Sequence, residues 1–536
     1  MKRTLPFAAL AAASVLAGAP ARAQQQTPSP PPAAPTPPPA WASGDPVLQR
    51  IWDEGMNRSR VQPLAQALMD SVGPRLTGSP SIQAAYQWAI QTYAGWGITA
   101  QARQYGTWRG WQRGYTHVDL VSPRVRTLEG TMLAWSPGTD GPVTGPVVIL
   151  PEVADSNAFR AWLPDARGKY VLVSFPQPTC RPDENWVKYA LPDSFERMKA
   201  ERTAGTQAWA ARIQKTGYDT RTLPRALEDA GALGVVTNLW SAGWGVDKIF
   251  NARTMRVPTI DLGCEDYGLV YRLAQNGQGP QLRLDAQAHF PGDLPASNVI
   301  AEMRGVRTPN EYVMLSAHFD SWDGGSGATD NGTGTVVMME AMRILKAVYP
   351  RPRRTILAGH WSGEEQGLNG SRAFVEDNPQ VVQNLQALFN QDNGTGRIAN
   401  LSMQGFTRVA PVFRRWLSML PPVLVDSIHV ADPGLPSAGG TDNASFVCAG
   451  APAFGLGSLS WEYGTYTWHT NRDTYDKVVF DEVRRNATLT AMLVYLASEE
   501  PERLPRERIA EFPVDQRTGQ RGSWPECQAP ARNTAQ

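Results

Sequence analysis

The sequence predicts an α/β fold: a mixed, mostly parallel sheet covered by helices on both faces, interrupted by a small β-rich inserted domain. Two observations carry this. From Ser297 onward, strand-like runs alternate with helical runs, which is the order that builds parallel strands with crossover helices. Between about 140 and 292 that alternation gives way to short apolar runs separated by turn signals.

The strand candidates of the α/β part are NVIAEM (298–303), EYVMLSA (311–317), TILAGH (355–360), ALFNQD (387–392) and PAFGLG (452–457). Helix candidates span 334–347, 370–375, 381–386 and 481–497. Upstream, residues 44–72 carry helical apolar spacing in Leu48, Ile51 and Trp52, then in Leu64, Leu68 and Met69. A turn, GPRLTGSP, precedes a second helix over 81–93, and an aromatic, strand-like stretch runs to about Val121. Inside 140–292 the β-branched runs are PVVIL, KYVLVSF (169–175), GVVTNL (234–239) and VPTIDL (257–262), with one helix over 225–232. The order GKYVLV, ALEDAGALGVV, VPTIDLGCEDYGLVYRL resembles a protease-associated (PA) domain. The domain expectation is therefore a catalytic domain in two pieces, 44–139 and 293–512, around a PA-like insertion at 140–292.

The ends read differently. Lys2 and Arg3 precede an apolar run over 5–18, and Ala21-Arg22-Ala23 fits a small-x-small cleavage site, so residues 1–23 read as a signal peptide. The run is short of the ~20 residues a membrane span needs. Residues 24–43 form a Pro-rich linker and residues 513–536 a polar tail. The expected location is periplasmic or extracellular, with no membrane attachment after cleavage. Export makes disulfides available to Cys180, Cys264, Cys448 and Cys527, whose three pairings the sequence leaves open. Fifty-one basic residues face 50 acidic ones, so charge gives no reason to propose a nucleic-acid partner. A monomer and a homodimer are both compatible with the sequence.

Chemistry concentrates at the carboxyl ends of the strand candidates, where open α/β sheets place their sites. Strand 311–317 runs into His318-Phe-Asp320, and Asp330-Asn331 follows a glycine-rich loop. Strand 355–360 runs into Glu364-Glu365, strand 387–392 ends on Asp392, and His469 stands in WHTNRDTY. Imidazole and carboxylate donors without thiolate suit zinc, with manganese or cobalt as substitutes. Singly, an adjacent Glu pair is more often a solvated surface feature and a lone His a satisfied core residue. The convergence of separate segments on one sheet edge is what gives these residues weight. His117, His289, His360 and His429 have no such context.

The segments SAHFDSWDGGSGATDNGTG, SGEEQGLNGS, NQDNG and WHTNRDTYD resemble, in order and spacing, the metal motifs of the M28 zinc metallopeptidases. GPRLTGSP and GGTDNASF fit the same pattern, and the resemblance covers about residues 45–500. It implies an α/β/α sandwich of the zinc-peptidase type and two Zn²⁺ ions bridged by Asp330. It implies that His318 and Asp392 complete one metal site, and Glu365 and His469 the other. Glu364 becomes the catalytic carboxylate and Asp320 the group that orients His318. The activity implied is hydrolysis of short peptides, with aminopeptidase action first and carboxypeptidase or dipeptidase action as the alternative. It also implies a cis peptide after Asp330 and an insertion lying beside the active-site edge. In branches of the family a Tyr precedes the final His or the TD of the GGTDN-like segment. Here those positions hold Trp468 and Gly440, with Tyr463 and Tyr466 nearby.

Other classes leave different marks. A serine hydrolase would show G-x-S-x-G and a helical zinc protease HExxH, and the chain has neither. A glutaminyl cyclase on the same fold would need one zinc, and a noncatalytic binding ectodomain would have lost ligands.

Overall fold

A computed structural model describes residue 41, residues 44–514, 516–517 and 519–534. The signal-peptide reading and most of the Pro-rich linker lie outside the described residues. Two eight-stranded sheets organise the rest.

The first sheet has the order Thr99–Arg109, Asp293–Met303, Arg354–Trp361, Thr308–His318, Leu385–Asn390, Ala453–Ser458, Ile398–Ser402, His429–Ala431. Its four central strands, from Arg354–Trp361 to Ala453–Ser458, are mutually parallel, and antiparallel pairs flank them. Parallel central strands are apolar on both faces, and every residue of Arg354–Trp361 is buried. The helices Pro46–Asn57, Thr333–Val348 and Phe480–Glu499 pack on one another over one face. On the other face Phe374 and Phe446 pack with Met314, Leu357 and Leu388. Pro80–Gly95 begins where the sequence signals it: Ser79 Oγ accepts from Ile82 N at 3.1 Å, and Pro80 opens the helix. The result is the expected α/β/α layering around a mixed sheet.

The second sheet has the order Arg126–Leu128, Gln112–Ser122, Gln281–His289, Val143–Ile149, Tyr170–Leu172, Gly234–Thr237, Thr259–Leu262, Gly130–Met132. Two expectations change here. The sheet takes in strands from Gln112, well before the composition shift near 140, because Gln112–Ser122 pairs with Gln281–His289 rather than with the first sheet. The region is also α/β rather than β-rich. It carries Ser156–Trp162, Asp183–Tyr189, Leu223–Asp229, Cys264–Gln275 and the 24-residue helix Pro192–Lys215. That long helix buries only Met198 and Trp209, so it has no apolar stripe for a periodicity reading to detect.

Cys180 pairs with Cys264 and Cys448 with Cys527. Such bonds belong to a protein that matures in an oxidising compartment. The second bond overturns the picture of a loose tail. Trp524 Nε1 donates to Val447 O at 3.0 Å, Ala531 N to Asn369 Oδ1 at 2.8 Å, and Thr107 N to Arg532 O at 2.8 Å. A Cβ on Gly106 would stand 1.8 Å from Arg532 O, so only glycine lets the tail approach this strand. Among the described residues no helix is long and apolar enough to cross a membrane.

Cys527→Ser should release this segment. We expect a stability loss of about 2–5 kcal/mol and new protease cleavage C-terminal to residue 513. Thermal melts and mass spectrometry of limited digests check both.

Candidate metal centre

The central strands deliver their ends to one place. His318 is the last residue of Thr308–His318, Glu364 and Glu365 follow Arg354–Trp361, and Asp392 follows Leu385–Asn390. Asp330 comes from the loop leading into Thr333–Val348, and its peptide bond to Asn331 is cis. His469 reaches in from the segment between Ala453–Ser458 and the last helix.

Asp330 lies at the middle of the group. Its Oδ1 is 3.3 Å from His318 Nε2, and its Oδ2 is 3.3 Å from His469 Nε2. His318 Nε2 is also 3.3 Å from Asp392 Oδ1, and His469 Nε2 is 2.8 Å from Glu365 Oε2. Two donors at about 2.0–2.1 Å from one tetrahedral zinc stand about 3.3 Å apart. The donor atoms therefore sit as pairs around Asp330, His318 with Asp392 and His469 with Glu365. His318, Asp330 and Glu365 each offer a ligand atom within 4.8 Å of the others.

The chemistry of the donor set also fits a cation. Asp330 Oδ2, Glu365 Oε1 and both oxygens of Asp442 are buried without a hydrogen-bond partner among the described residues. Burial first, then neighbouring carboxylates, hold Glu364 and Glu365 well above the usual carboxylate range. The same causes push Asp442 and Asp473 up to about 7. So much buried negative charge calls for a compensating positive one. His469 is pushed down to about 4, chiefly by burial, so its imidazole is neutral and able to ligate.

The surrounding contacts fix the donors. His318 Nδ1 faces the Asp320 carbonyl oxygen at 3.0 Å, while the Asp320 carboxylate is 3.8 Å away. The carboxylate instead accepts from Glu364 N at 3.2 Å, Glu365 N at 3.3 Å and Thr77 Oγ1 at 3.1 Å. Asp320 thus holds the imidazole through its backbone and the Glu-Glu turn through its side chain. Trp468 stacks on the His469 ring, with centroids 4.0 Å apart, and Phe250 meets the same ring edge-on at 5.3 Å. Ile249 N donates to His469 O at 2.6 Å, so the second-sheet region grips this loop directly. The two tyrosines part company. Tyr463 lies against Asp330, whereas the Tyr466 hydroxyl donates to Glu184 at 2.8 Å.

Three contributors were not singled out in the sequence. Arg75, in GPRLTGSP, is fully buried and donates to the carbonyl oxygens of Phe319, Gly73, Ser326 and Gly327 at 2.7–3.0 Å. Asp473 accepts from Thr329 N at 2.8 Å and from Asp330 N at 3.0 Å, one on each oxygen. Asp442, in GGTDNASF, is a buried carboxylate in the same charge cluster. A buried Arg in a turn and acidic residues inside quoted motifs were the available signals.

The model of peptidase family M28 matches residues 298–494, which hold every one of these donors. Residues 298–494 thus form a peptidase family M28 segment. Carboxypeptidase Q of Mus musculus is 25% identical over 453 residues, covering 84% of this chain and 88% of that relative. Carboxypeptidase Q of Homo sapiens is 25% identical over 456 residues, covering 85% and 88%. Among solved structures, a Peptidase M28 precursor from Shewanella amazonensis SB2B superimposes with a TM-score of 0.62 at 21% identity, covering 85% of this chain and 97% of that one. A zinc aminopeptidase from Bacillus subtilis gives 0.53 at 18% identity, covering 84% and 97%. This M28 peptidase is a hydrolase of the metallopeptidase class.

Asp473→Asn should weaken the metal without unfolding the peptidase. An amide has one acceptor oxygen for two backbone N–H groups, so the Asp330 loop loses half its support. We expect metal affinity to fall about 10- to 100-fold, read by competition with a chromogenic chelator.

Proposed function

We propose that the peptidase is a two-zinc exopeptidase that hydrolyses short peptides. The observation that carries this is the pair of donor sets on the two oxygens of Asp330, with Glu364 beside them. In this reading His318 and Asp392 would hold one zinc and Glu365 and His469 the other, with Asp330 offering one oxygen to each set. Zinc bound there supplies Lewis acidity and lowers the pKa of water.

The chain's own residues do the rest. Glu364 takes a proton from the attacking water as its oxygen bonds to the scissile carbonyl carbon. It returns that proton to the leaving nitrogen as the C–N bond breaks. Burial already raises its proton affinity, as an acid–base shuttle requires. In this reading Tyr463, which lies against Asp330, is the side chain we assign to donating to the carbonyl oxygen as negative charge develops on it. Asp320 positions both His318 and the Glu364–Glu365 turn, a wider role than orienting His318 alone.

Aminopeptidase action is the reading the metal motifs favour. Carboxypeptidase or dipeptidase action is favoured by similarity to Carboxypeptidase Q over most of the chain. A dipeptide satisfies both, since its one bond is adjacent to each terminus. We read the second-sheet region as a PA-like insertion that narrows access to the site, and residues 1–23 as the export signal.

Glu364→Gln should abolish turnover, lowering kcat by at least ~10²–10⁴-fold, while zinc content holds. Glu365→Gln should lose zinc, because a neutral amide is a poor ligand. Zinc analysis beside kcat on both variants decides. The reverse pattern would exchange the two roles, and full activity in both would sink the site. A panel of dipeptides and tripeptides with one terminus blocked at a time then separates amino- from carboxy-terminal release.

A further inference from the structure

A cavity between the two sheet regions reaches the candidate metal centre at Glu365. It holds about 1150 Å³, and its lining includes Glu365, Trp322, Arg109, Arg221, Arg225 and Arg253. Arg221 and Arg225 flank the start of the helix Leu223–Asp229, Arg253 follows the loop that grips His469, and Arg109 ends the edge strand of the first sheet.

Most cationic surfaces are cancelled by neighbouring carboxylates, and this one is cancelled only in part. Arg225 pairs with Glu228 at 3.0 Å, and the Asp229 carboxylate at the same wall is taken by Arg256. Asp219 faces Arg253, but its carboxylate accepts from the backbone N–H groups of Arg221 and Thr222 and from the Thr222 hydroxyl. Among the described residues Arg109, Arg221 and Arg253 have no carboxylate at ion-pair distance. Arg109 instead lies 4.7 Å over the Phe290 ring. Like charges are gathered rather than separated. Burial, then Arg225, lowers Arg109, and burial, then Arg221, lowers Arg253. Guanidinium groups held together against repulsion, facing a cavity, form a preorganised seat for an anion.

We propose that Arg221 and Arg253, supported by Arg109 and Arg225, bind a carboxylate of the peptide substrate while its scissile bond lies beside Glu365 in the same cavity. The inference rests on the peptidase reading above and adds a substrate class: peptides that carry a carboxylate beyond the scissile bond. Two sources offer that chemistry, the free C-terminus and an acidic side chain. Trp108, Trp135 and Tyr218 on the same walls would pack the remaining apolar surface of a short peptide.

The test is a binding measurement that needs no turnover. Zinc-loaded Glu364→Gln enzyme, with and without Arg221→Ala and Arg253→Ala, is titrated calorimetrically with Ala-Ala-Ala, Ala-Ala-Ala-amide and Ala-Ala-Glu-amide. Without the arginine changes, the free acid should bind about tenfold or more tighter than its amide, the worth of one charge-assisted contact. Removing both arginines should collapse that ratio towards one, with the variant's melting temperature confirming that it folds. Recovery of tight binding by Ala-Ala-Glu-amide alone would assign the seat to an acidic side chain. Equal binding of all three peptides, or an acid-to-amide ratio that survives both substitutions, would overturn the proposal. Hydrolysis of none of these peptides by the unsubstituted enzyme would refute the peptidase reading and leave the binding ratio to judge the arginine seat.

Discussion

The architecture of the candidate metal centre depends on one buried guanidinium. Arg75 joins the turn at residues 73–80 to the Phe319 carbonyl and to the carbonyls of Ser326 and Gly327, the loop that ends in Asp330. Charged donors make the stronger class of hydrogen bond, and each unmet carbonyl would otherwise carry a desolvation cost. The same cation faces Asp473, Asp320, Asp330 and Glu365, which offset the burial that lowers its own pKa to about 10. It therefore supplies both the geometry of the loops and part of the charge that lets several carboxylates share a dry site.

Around that anchor the two sheets divide the work. The first provides rigid strand ends, so His318, the Glu364–Glu365 pair and Asp392 are placed by backbone pairing rather than by loop packing. The second closes the remaining side: Asp247, Lys248 and Ile249 bond to the backbone of the His469 loop, and Phe250 and Lys248 pack against its aromatic face. His469 itself has a left-handed backbone, φ 56°, a conformation a free loop would rarely hold. The ring position of this donor is thus a joint product of two regions far apart in sequence.

How much of this was legible depended on whether a signal was local. His318, Asp392 and Glu365 were readable because each follows an apolar strand-like run, and strand ends in such folds converge. Asp330 and His469 were named as donors too, but their pairing with particular partners came only from the motif resemblance, since neither directly follows a strand. Arg75 and Asp473 were not legible as contributors, because their partners are backbone groups some 250 and 140 residues away in sequence. The long helix Pro192–Lys215 escaped because it is exposed on most sides. The start of the second sheet at Gln112 escaped because a strand's composition does not reveal which sheet it joins. Asp320 shows the finer limit: sequence placed it beside His318, but only coordinates distinguish its carbonyl from its carboxylate.

The strand Thr99–Arg109 has a neighbour on one side only, and eleven residues of open edge invite pairing with another chain. Residues 532–533 lie along part of that edge, with a parallel bridge between Thr107 and Asn533. A segment that looks like an afterthought in the sequence therefore serves as a guard against self-association. Because ribosomal synthesis delivers it some 420 residues after the strand it covers, the nascent protein must pass through a period in which that part of the edge is bare.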